Sequence, residues 1–291
     1  MRTGNPFVPG VETEKLFGRK EEIWQFSAYL TERKPVKIAI IGAKGIGKTT
    51  LIKKFREMAE KDRLITAIYY TGYTGKKNQV TADNENAGML FIEDVDKNPD
   101  VLENLEKLEK TNKTIVVSST SEKWINKDIF QIMKLRPLND FEIKEFVEEK
   151  LKDKGIKIAG GALEMIIEQT EGHPFVLLLV LWNLYDKLPE NERIISKAHY
   201  IAALQSTLEL LGHKFFDDLY FDCSDGERMV LKAVIKSSGG TPIEISEMIK
   251  KPLNTITTLL LRLVDKGNLV KISRGKYRIF NRLYGKYVEG N

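Results

Sequence analysis

The chain has 291 residues, with 46 Lys and Arg, 41 Asp and Glu and a single Cys, and its formal net charge is +5. One cysteine excludes an intramolecular disulfide, and no apolar run reaches the length of about eighteen residues that spans a bilayer. The N-terminus also lacks an apolar signal core. The expectation is a cytoplasmic globular protein of two or three domains with no membrane contact.

The first informative stretch reads VKIAIIGAKGIGKTTLIKKF, which predicts a strand over 36–41, a glycine-rich turn and a helix that begins near Gly47. The turn fits the pattern G-x-x-x-x-G-K-T. Its glycines let successive N–H groups point at a phosphate, Lys48 reaches the β- and γ-phosphates, and the Thr49 hydroxyl ligates Mg²⁺. The pattern predicts a cradle for the phosphates of ATP or ADP. Its residues are Gly42, Ala43, Lys44, Gly45, Ile46, Gly47, Lys48, Thr49 and Thr50.

Further apolar strands, predicted at 64–70, 89–92, 114–120 and 132–138, alternate with helical patterns. This alternation predicts an α/β domain with a parallel sheet. With the strand at 36–41 these make five. The third of the five, in MLFIEDVD, leads directly into Glu93 and Asp94. An ordinary strand that meets solvent would look the same. Because a phosphate cradle needs a second metal contact and a group that orients water, we predict that both acids lie at the reaction centre.

The last quarter of the chain is basic, with thirteen Lys and Arg against six Asp and Glu from residue 225 onwards. Its pattern predicts three helices, a hairpin that turns at Arg274 and Gly275, and a short final helix, which is the order of a winged helix-turn-helix. The third helix would contact bases or phosphates of duplex DNA, and the hairpin would contact phosphates. A merely solvated polar face is the alternative. The predicted DNA contacts are Asn254, Thr255, Thr257, Thr258, Arg262, Lys271, Arg274, Lys276 and Arg278.

These motifs together resemble those of AAA+ and STAND ATPases, and most closely archaeal groups that include origin-recognition-like replication initiators. GAKGIGKTT is similar to their Walker A motif and MLFIEDVD to Walker B. VVSSTS is similar to the sensor at the end of the next strand, which implies that Ser119 contacts the γ-phosphate. The resemblance further implies a helical lid after LRPLND. ATP or ADP and Mg²⁺ are the implied cofactors.

Two other segments gain a role only from this resemblance. NPFVPG followed by FGRKEEI is similar to the segment that closes over adenine, which implies that Val8, Pro9 and Arg19 lie near the base or ribose. EGHPFVLLL resembles the Gly-x-Pro element of STAND lids, which implies that His173 and Pro174 lie near the phosphates or base. A capping turn before a core helix is the alternative for His173, and a surface position is the alternative for Arg19.

The acids of the Walker B strand depart from the family order, because relatives usually carry Asp and then Glu. If the geometry is kept, Glu93 contacts the metal shell, and Asp94, one methylene shorter, orients the water. If the strand shifts by one residue, Asp94 serves the metal and Asp96 assists. The reversed order predicts slow hydrolysis. No residue stands out as an arginine finger; the nearest basic candidates after the sensor strand are Lys134 and Arg136.

The predicted architecture is an α/β P-loop NTPase domain over 1–137, a helical lid and linker over 138–222, and a winged helix-turn-helix over 223–291. The expected function is that of an ATP-dependent, DNA-associated switch in replication initiation, plasmid maintenance or transcription control. A signalling or protein-assembly ATPase whose winged helix is a scaffold is the competing hypothesis, and a nucleotide-binding module with little turnover is a third. Duplex DNA is the expected partner, and homo-oligomers or protein partners are compatible with the resemblance.

Overall fold

A computed structural model describes residues 4–9, 16–61, 67–70, 88–97, 105–237 and 240–291, with backbone alone for 67–70. The chain forms two compact units. The first is Glu12–Arg136, and the second joins Met1–Val11 to Pro137–Asn291. The three-domain division remains a prediction, and each unit is described by itself.

The described part of the unit Glu12–Arg136 contains a five-stranded parallel sheet with helices on its faces. Its elements are α1 (Lys20–Glu32), β1 (Lys37–Ile41), α2 (Lys48–Lys61), β2 (Ala67–Tyr70), β3 (Met89–Ile92), β4 (Thr114–Ser119) and β5 (Gln131–Lys134). Residues 105–109 are also helical, and short 3-10 turns occur at Val95–Lys97 and Glu122–Trp124.

The strand order β2-β3-β4-β1-β5 explains where the site forms. Strand β4 lies between β1 and β3, so the loops that follow these three strands leave one edge of the sheet side by side. Strand β1 is buried on both faces. Ile38 and Ile40 pack with α1 and α2, whereas Ala39 and Ile41 belong to the cluster on the opposite face. Two covered faces are typical of parallel sheets, and the predicted α/β class is confirmed.

The strand predicted over 132–138 is shorter and starts earlier, at Gln131–Lys134. One more ladder bond follows, from the Leu135 N–H to the Ile41 carbonyl at 2.8 Å. Pro137 has no N–H to continue the ladder. The strand predicted from residue 64 has its first three residues outside the described part, and 67–70 are extended as predicted.

The described part of the second unit is mainly helical. Its helices are α3 (Asp140–Leu151), α4 (Gly160–Thr170), α5 (Pro174–Lys187), α6 (Lys197–Leu211), α7 (Asp217–Phe221), α8 (Asp225–Lys236), α9 (Pro242–Ile249), α10 (Leu253–Asp265) and α11 (Arg282–Gly290). Its strands are β6 (Lys157–Ile158), β7 (Ile194–Ile195), β8 (Leu269–Ser273) and β9 (Lys276–Ile279). A π-helical turn, Gly212–Phe216, joins α6 to α7.

One hydrophobic core runs through this second unit, from the helices after Pro137 to α11. The π-helical turn places Phe215 and Phe216 next to each other inside it, and the Phe216 ring lies 5.1 Å from that of Tyr284 on α11. At the N-terminal segment, Phe7 is fully buried, with its ring 5.9 Å from that of Phe146. The helices expected to form a lid and the C-terminal helices therefore share one packed interior.

Candidate active site

The loop between β1 and α2 has the backbone shape that the glycine pattern predicts. Gly45 and Gly47 have φ of 77° and 102°, values that side chains with a Cβ rarely adopt. A Cβ on Gly42 would lie 2.7 Å from Ile46 Cγ2, so this position must remain small. The first N–H groups of α2 have no partner inside the helix, and they open towards this loop. The loop is therefore a cradle with an anion-binding helix end.

Lys48 lies inside the cradle. Its side chain is buried, and Nζ donates to the carbonyls of Gly42 at 2.9 Å and Ala43 at 3.1 Å. Burial lowers the pKa of Lys48; the carboxylates of Asp94, Asp96 and Glu93 act in the opposite direction, while Lys97 adds to the lowering. A buried ammonium hydrogen-bonded to backbone carbonyls is a strong partner for phosphate oxygens. Thr49 and Thr50 are exposed beside it.

Glu93 follows the last residue of β3 at the same edge of the sheet. Ile92 pairs with Val117, and Ile41 pairs with Ser119 on the other side of β4, so Glu93 and the start of the cradle flank the end of that strand. The Glu93 side chain is buried, and its Oε1 has no hydrogen-bond partner among the described residues. An unpartnered buried carboxylate oxygen is costly in the free protein. It is also what a site for Mg²⁺ or its bound water requires.

Asp94 has the left-handed backbone conformation, with φ of 47°, which turns the chain sharply after β3. Its N–H donates to the Ser118 hydroxyl at 3.0 Å, and its carboxylate Oδ2 lies 3.1 Å from Lys97 Nζ. Asp96 is bound differently, because its Oδ2 accepts hydrogen bonds from the Thr120 N–H and hydroxyl. The two acids that follow Glu93 are thus both tied to neighbours. Asp96 Oδ1, like Glu93 Oε1, is nevertheless buried without a hydrogen-bond partner among the described residues, so Glu93 and Asp96 each have one carboxylate oxygen open to a ligand.

Three hydroxyl residues lie at the end of β4, namely Ser118, Ser119 and Thr120. The sequence predicts a role for Ser119. Ser119 donates to the Ser121 carbonyl at 2.7 Å and accepts from the Ser121 N–H, so its hydroxyl stabilises its own turn. Its contact with a γ-phosphate remains a prediction. Ser118 and Thr120 position the acidic turn, and the sequence signal for them is the run of four hydroxyl residues, SSTS, at a strand end.

Arg19 is buried, and its guanidinium donates to three backbone carbonyls, those of Gly18, Ile46 and Arg136. These bonds join the start of α1 to the cradle and to the segment after β5. The arginine thereby fixes the position of the loop that carries Ile46. Its predicted contact with the base or ribose remains a prediction.

The other residues predicted to bind nucleotide belong to the second unit. Val8 is exposed and Pro9 is half-buried in the N-terminal segment. His173 caps α5, since its Nδ1 accepts the Val176 N–H at 3.4 Å, and Pro174 is the first helical residue. The His173 ring is buried against Phe215 and Phe280. This capping explains the local structure, while a nucleotide role for these four residues remains a prediction.

Helix α10 has an apolar face and a polar face. Ile256, Leu260 and Leu263 are buried, whereas the polar residues on the other side are exposed or half-buried. The hydroxyls of Thr257 and Thr258 donate to carbonyls one turn earlier, as exposed threonines in helices often do. The exposed or half-buried polar residues are Asn254, Thr255, Thr257, Thr258 and Arg262 on α10, with Lys271, Arg274, Lys276 and Arg278 on the hairpin β8–β9.

No family model matches the sequence. A curated relative, the phosphate import ATP-binding protein PstB of Campylobacter jejuni, is 27% identical over 146 residues, which are 50% of this chain and 55% of the relative. The chain thus spans about half the length of the curated relative it matches.

Solved structures resemble the whole chain. The Walker-type ATPase PABY2304 of Pyrococcus abyssi has a TM-score of 0.74 at 13% identity, with 98% of this chain and 99% of that one covered. The chain has the P-loop NTPase fold. The Thermotoga maritima RuvB Holliday junction branch migration motor (TM-score 0.56, 18% identity, 96% and 98% covered) and Cdc6p of Pyrobaculum aerophilum (0.55, 13%, 98% and 97%) are also similar. Among the described residues, no helix is long and apolar enough to cross a bilayer.

Proposed function

We propose that the protein binds ATP with Mg²⁺ and hydrolyses it slowly, as a nucleotide-dependent switch of the AAA+/STAND kind in the cytoplasm. The observation that carries this proposal is Glu93 Oε1, which is buried and has no hydrogen-bond partner among the described residues, at the sheet edge that also holds the cradle with Lys48. This arrangement provides cations for phosphate and an open carboxylate for a metal. The known ATPases with this fold are consistent with it.

Each residue of the site has a proposed role that follows from its position. Lys48 and the N–H groups of the cradle bind the phosphates, and Thr49 with Glu93 would hold Mg²⁺ through its shell. When bound, the metal neutralises phosphate charge. Asp94 would accept a hydrogen bond from the attacking water, and Ser119 would contact the γ-phosphate. Because Asp94 is short and is held by Lys97, hydrolysis is expected to be slow.

The test is Lys48→Ala in the full chain, with Lys61→Ala at the other end of α2 as the matched control. Phosphate release and binding of ATP·Mg²⁺ are measured for both variants and the wild type. Lys48→Ala should lose binding or turnover by at least about a hundredfold, because a charge-assisted bond to phosphate is removed. Equal ATP binding and turnover in all three proteins would overturn the proposal.

We further propose that α8, α9, α10 and the hairpin β8–β9 form a winged helix-turn-helix that binds duplex DNA. The exposed polar face of α10 and the basic hairpin support this proposal. RuvB, named for Holliday junction branch migration, is a similar structure. Replication initiation, plasmid maintenance and transcription control all fit such a switch. Titration with a duplex at several salt concentrations tests it, since phosphate contacts give a negative slope of log affinity against log salt.

A competing function, a signalling or assembly ATPase that binds other proteins or copies of itself, is favoured by a polar interface within the second unit. Arg278 Nη1 lies 3.0 Å from Glu171 Oε1, and Arg282 pairs with Glu168. Asn281 donates to the Thr170 carbonyl at 2.8 Å. These bonds attach the start of α11 to the end of α4, as a scaffold would require. No binding to the duplex at low salt would select this function.

A further inference from the structure

The turn after β3 carries a cation, Lys97, whose part in the reaction as proposed is limited to holding Asp94. Val95–Lys97 is a single 3-10 turn that starts from the left-handed Asp94, and the Lys97 N–H donates to the Asp94 carbonyl at 2.9 Å. The turn brings the side chain back, so that Nζ lies 3.1 Å from Asp94 Oδ2. The Asp94 side chain is 16% exposed and that of Lys97 36%. The backbone conformation of the turn therefore brings the two charged groups together at a half-buried position.

Lys97 also lies at the edge of the sheet that carries the cradle, because its turn follows β3, and β4 separates β3 from β1. Its charge contributes to the lowered pKa of Lys48, after the larger effect of burial. Two ammonium groups and the carboxylates of Glu93, Asp94 and Asp96 thus share one edge of the sheet. A nucleoside triphosphate would add several negative charges there, where attraction between charges is stronger than in bulk water. The γ-phosphate would compete with Asp94 for the Lys97 ammonium.

We propose that Lys97 is a further catalytic residue that detects the γ-phosphate and controls Asp94, an inference that rests on the proposed ATPase function. With ADP or no nucleotide, the ammonium holds the Asp94 carboxylate. With a triphosphate, the ammonium moves to oxygens of the γ-phosphate, and the released carboxylate accepts a hydrogen bond from the attacking water. Lys97 thereby supplies from within the chain a cation for the charge that develops on the transferred phosphate.

The test compares Lys97→Met with Lys97→Arg and with the matched control Lys61→Met, which removes the same charge at the far end of α2, about 20 Å along the helix from Lys48. Calorimetry measures binding of AMP-PNP and of ADP, each with Mg²⁺, to the full chain. Lys97→Met should weaken AMP-PNP binding by about tenfold or more and change ADP binding by less than about twofold. Lys97→Arg should retain most of the preference. Turnover should fall in Lys97→Met, with KM for ATP raised.

A second pair of variants keeps the test independent of hydrolysis. Asp94→Asn removes the carboxylate that competes with the γ-phosphate for the Lys97 ammonium. It should therefore raise the affinity for AMP-PNP when Lys97 is present, by about fivefold more than it does in the Lys97→Met variant. Equal effects in both backgrounds, or an unchanged preference for AMP-PNP over ADP in Lys97→Met, would overturn the inference. Loss of both nucleotides in Lys97→Met would overturn it too. If the wild type itself binds neither nucleotide, the proposed function fails instead.

Discussion

At the scale of single residues, Glu93 and Asp94 differ in environment more than in chemistry. Asp94 is held by the Ser118 hydroxyl and by Lys97, whereas Glu93 Oε1 is buried without a partner among the described residues. We expect Glu93→Gln to raise the free energy of unfolding of the free protein by about 1 kcal/mol, because a neutral amide is cheaper to bury than a carboxylate. The same variant should lose most of the stabilisation by ATP·Mg²⁺, since the metal contact is gone.

Thermal unfolding followed by calorimetry, with and without ATP·Mg²⁺, checks both parts of this expectation. Glu106→Gln is the matched control, because Glu106 is an exposed helical acid of the same unit. This variant should melt at the wild-type temperature both with and without ATP·Mg²⁺. A free Glu93→Gln protein that melts below the wild type, or that gains the full stabilisation from ATP·Mg²⁺, would show that Glu93 has a structural partner rather than a metal.

Some features of the site follow from local sequence patterns, and others do not. The strand end and the glycine pattern predict that a cradle and two acids meet, because both depend on local spacing. The contacts of Asp94 and Asp96 with β4 depend on a left-handed turn, and Arg19 donates to carbonyls that are distant in the chain. No local pattern encodes either arrangement. The same reason applies to Lys97, whose pairing follows from the turn at Asp94.

At the scale of elements, the junction between α4 and α5 depends on Gly172. Its φ is 69°, and a Cβ there would lie 1.9 Å from the Leu138 carbonyl oxygen, which is backbone and cannot rotate away. Gly172→Ala should therefore lower the free energy of unfolding by about 3 kcal/mol, through backbone strain and displacement of this segment. The change is measured by urea unfolding of the full chain.

Gly160 offers a matched control in the neighbouring helix. It is the first residue of α4, and a Cβ on it would meet nothing within 4 Å. Gly160→Ala should leave stability unchanged or raise it by about 0.5 kcal/mol, because alanine loses less backbone freedom on folding. Similar losses in the two variants would mean that the contact with Leu138 does not determine the junction.

At the scale of the whole molecule, the shared core of the second unit changes how the basic tail is understood. Helix α11 contributes Leu283, Tyr284, Tyr287 and Val288 to the core that also holds the helices after Pro137. Sequence patterns predict the helices of the last quarter, and the resemblance implies a helical lid, but the pairing of one helix with another is tertiary and leaves no periodic signal. A ligand that moves the end of α4 would also act on α11, which is attached to it through Asn281.

The bond between Arg278 and Glu171 distinguishes two basic residues of strand β9, Lys276 and Arg278. Arg278 is paired with Glu171, whereas Lys276 is exposed at the start of the strand. If the module binds DNA, Lys276→Ala should lower the salt slope of binding by about one unit and leave the melting temperature unchanged. Arg278→Ala should leave the slope unchanged, because its charge is already balanced, and cost at most about 1 kcal/mol of stability.

Duplex titrations of the two variants at several salt concentrations, together with their melting curves, measure both effects. The pair is matched in charge and lies on one short strand, so a general loss of positive field would lower both slopes equally. Slopes lowered equally in the two variants would contradict the prediction, because the charge of Arg278 would then contribute to DNA binding despite its bond to Glu171. Slopes near zero in the wild type and both variants would instead favour the scaffold function, in which β9 serves only to hold α11 against α4.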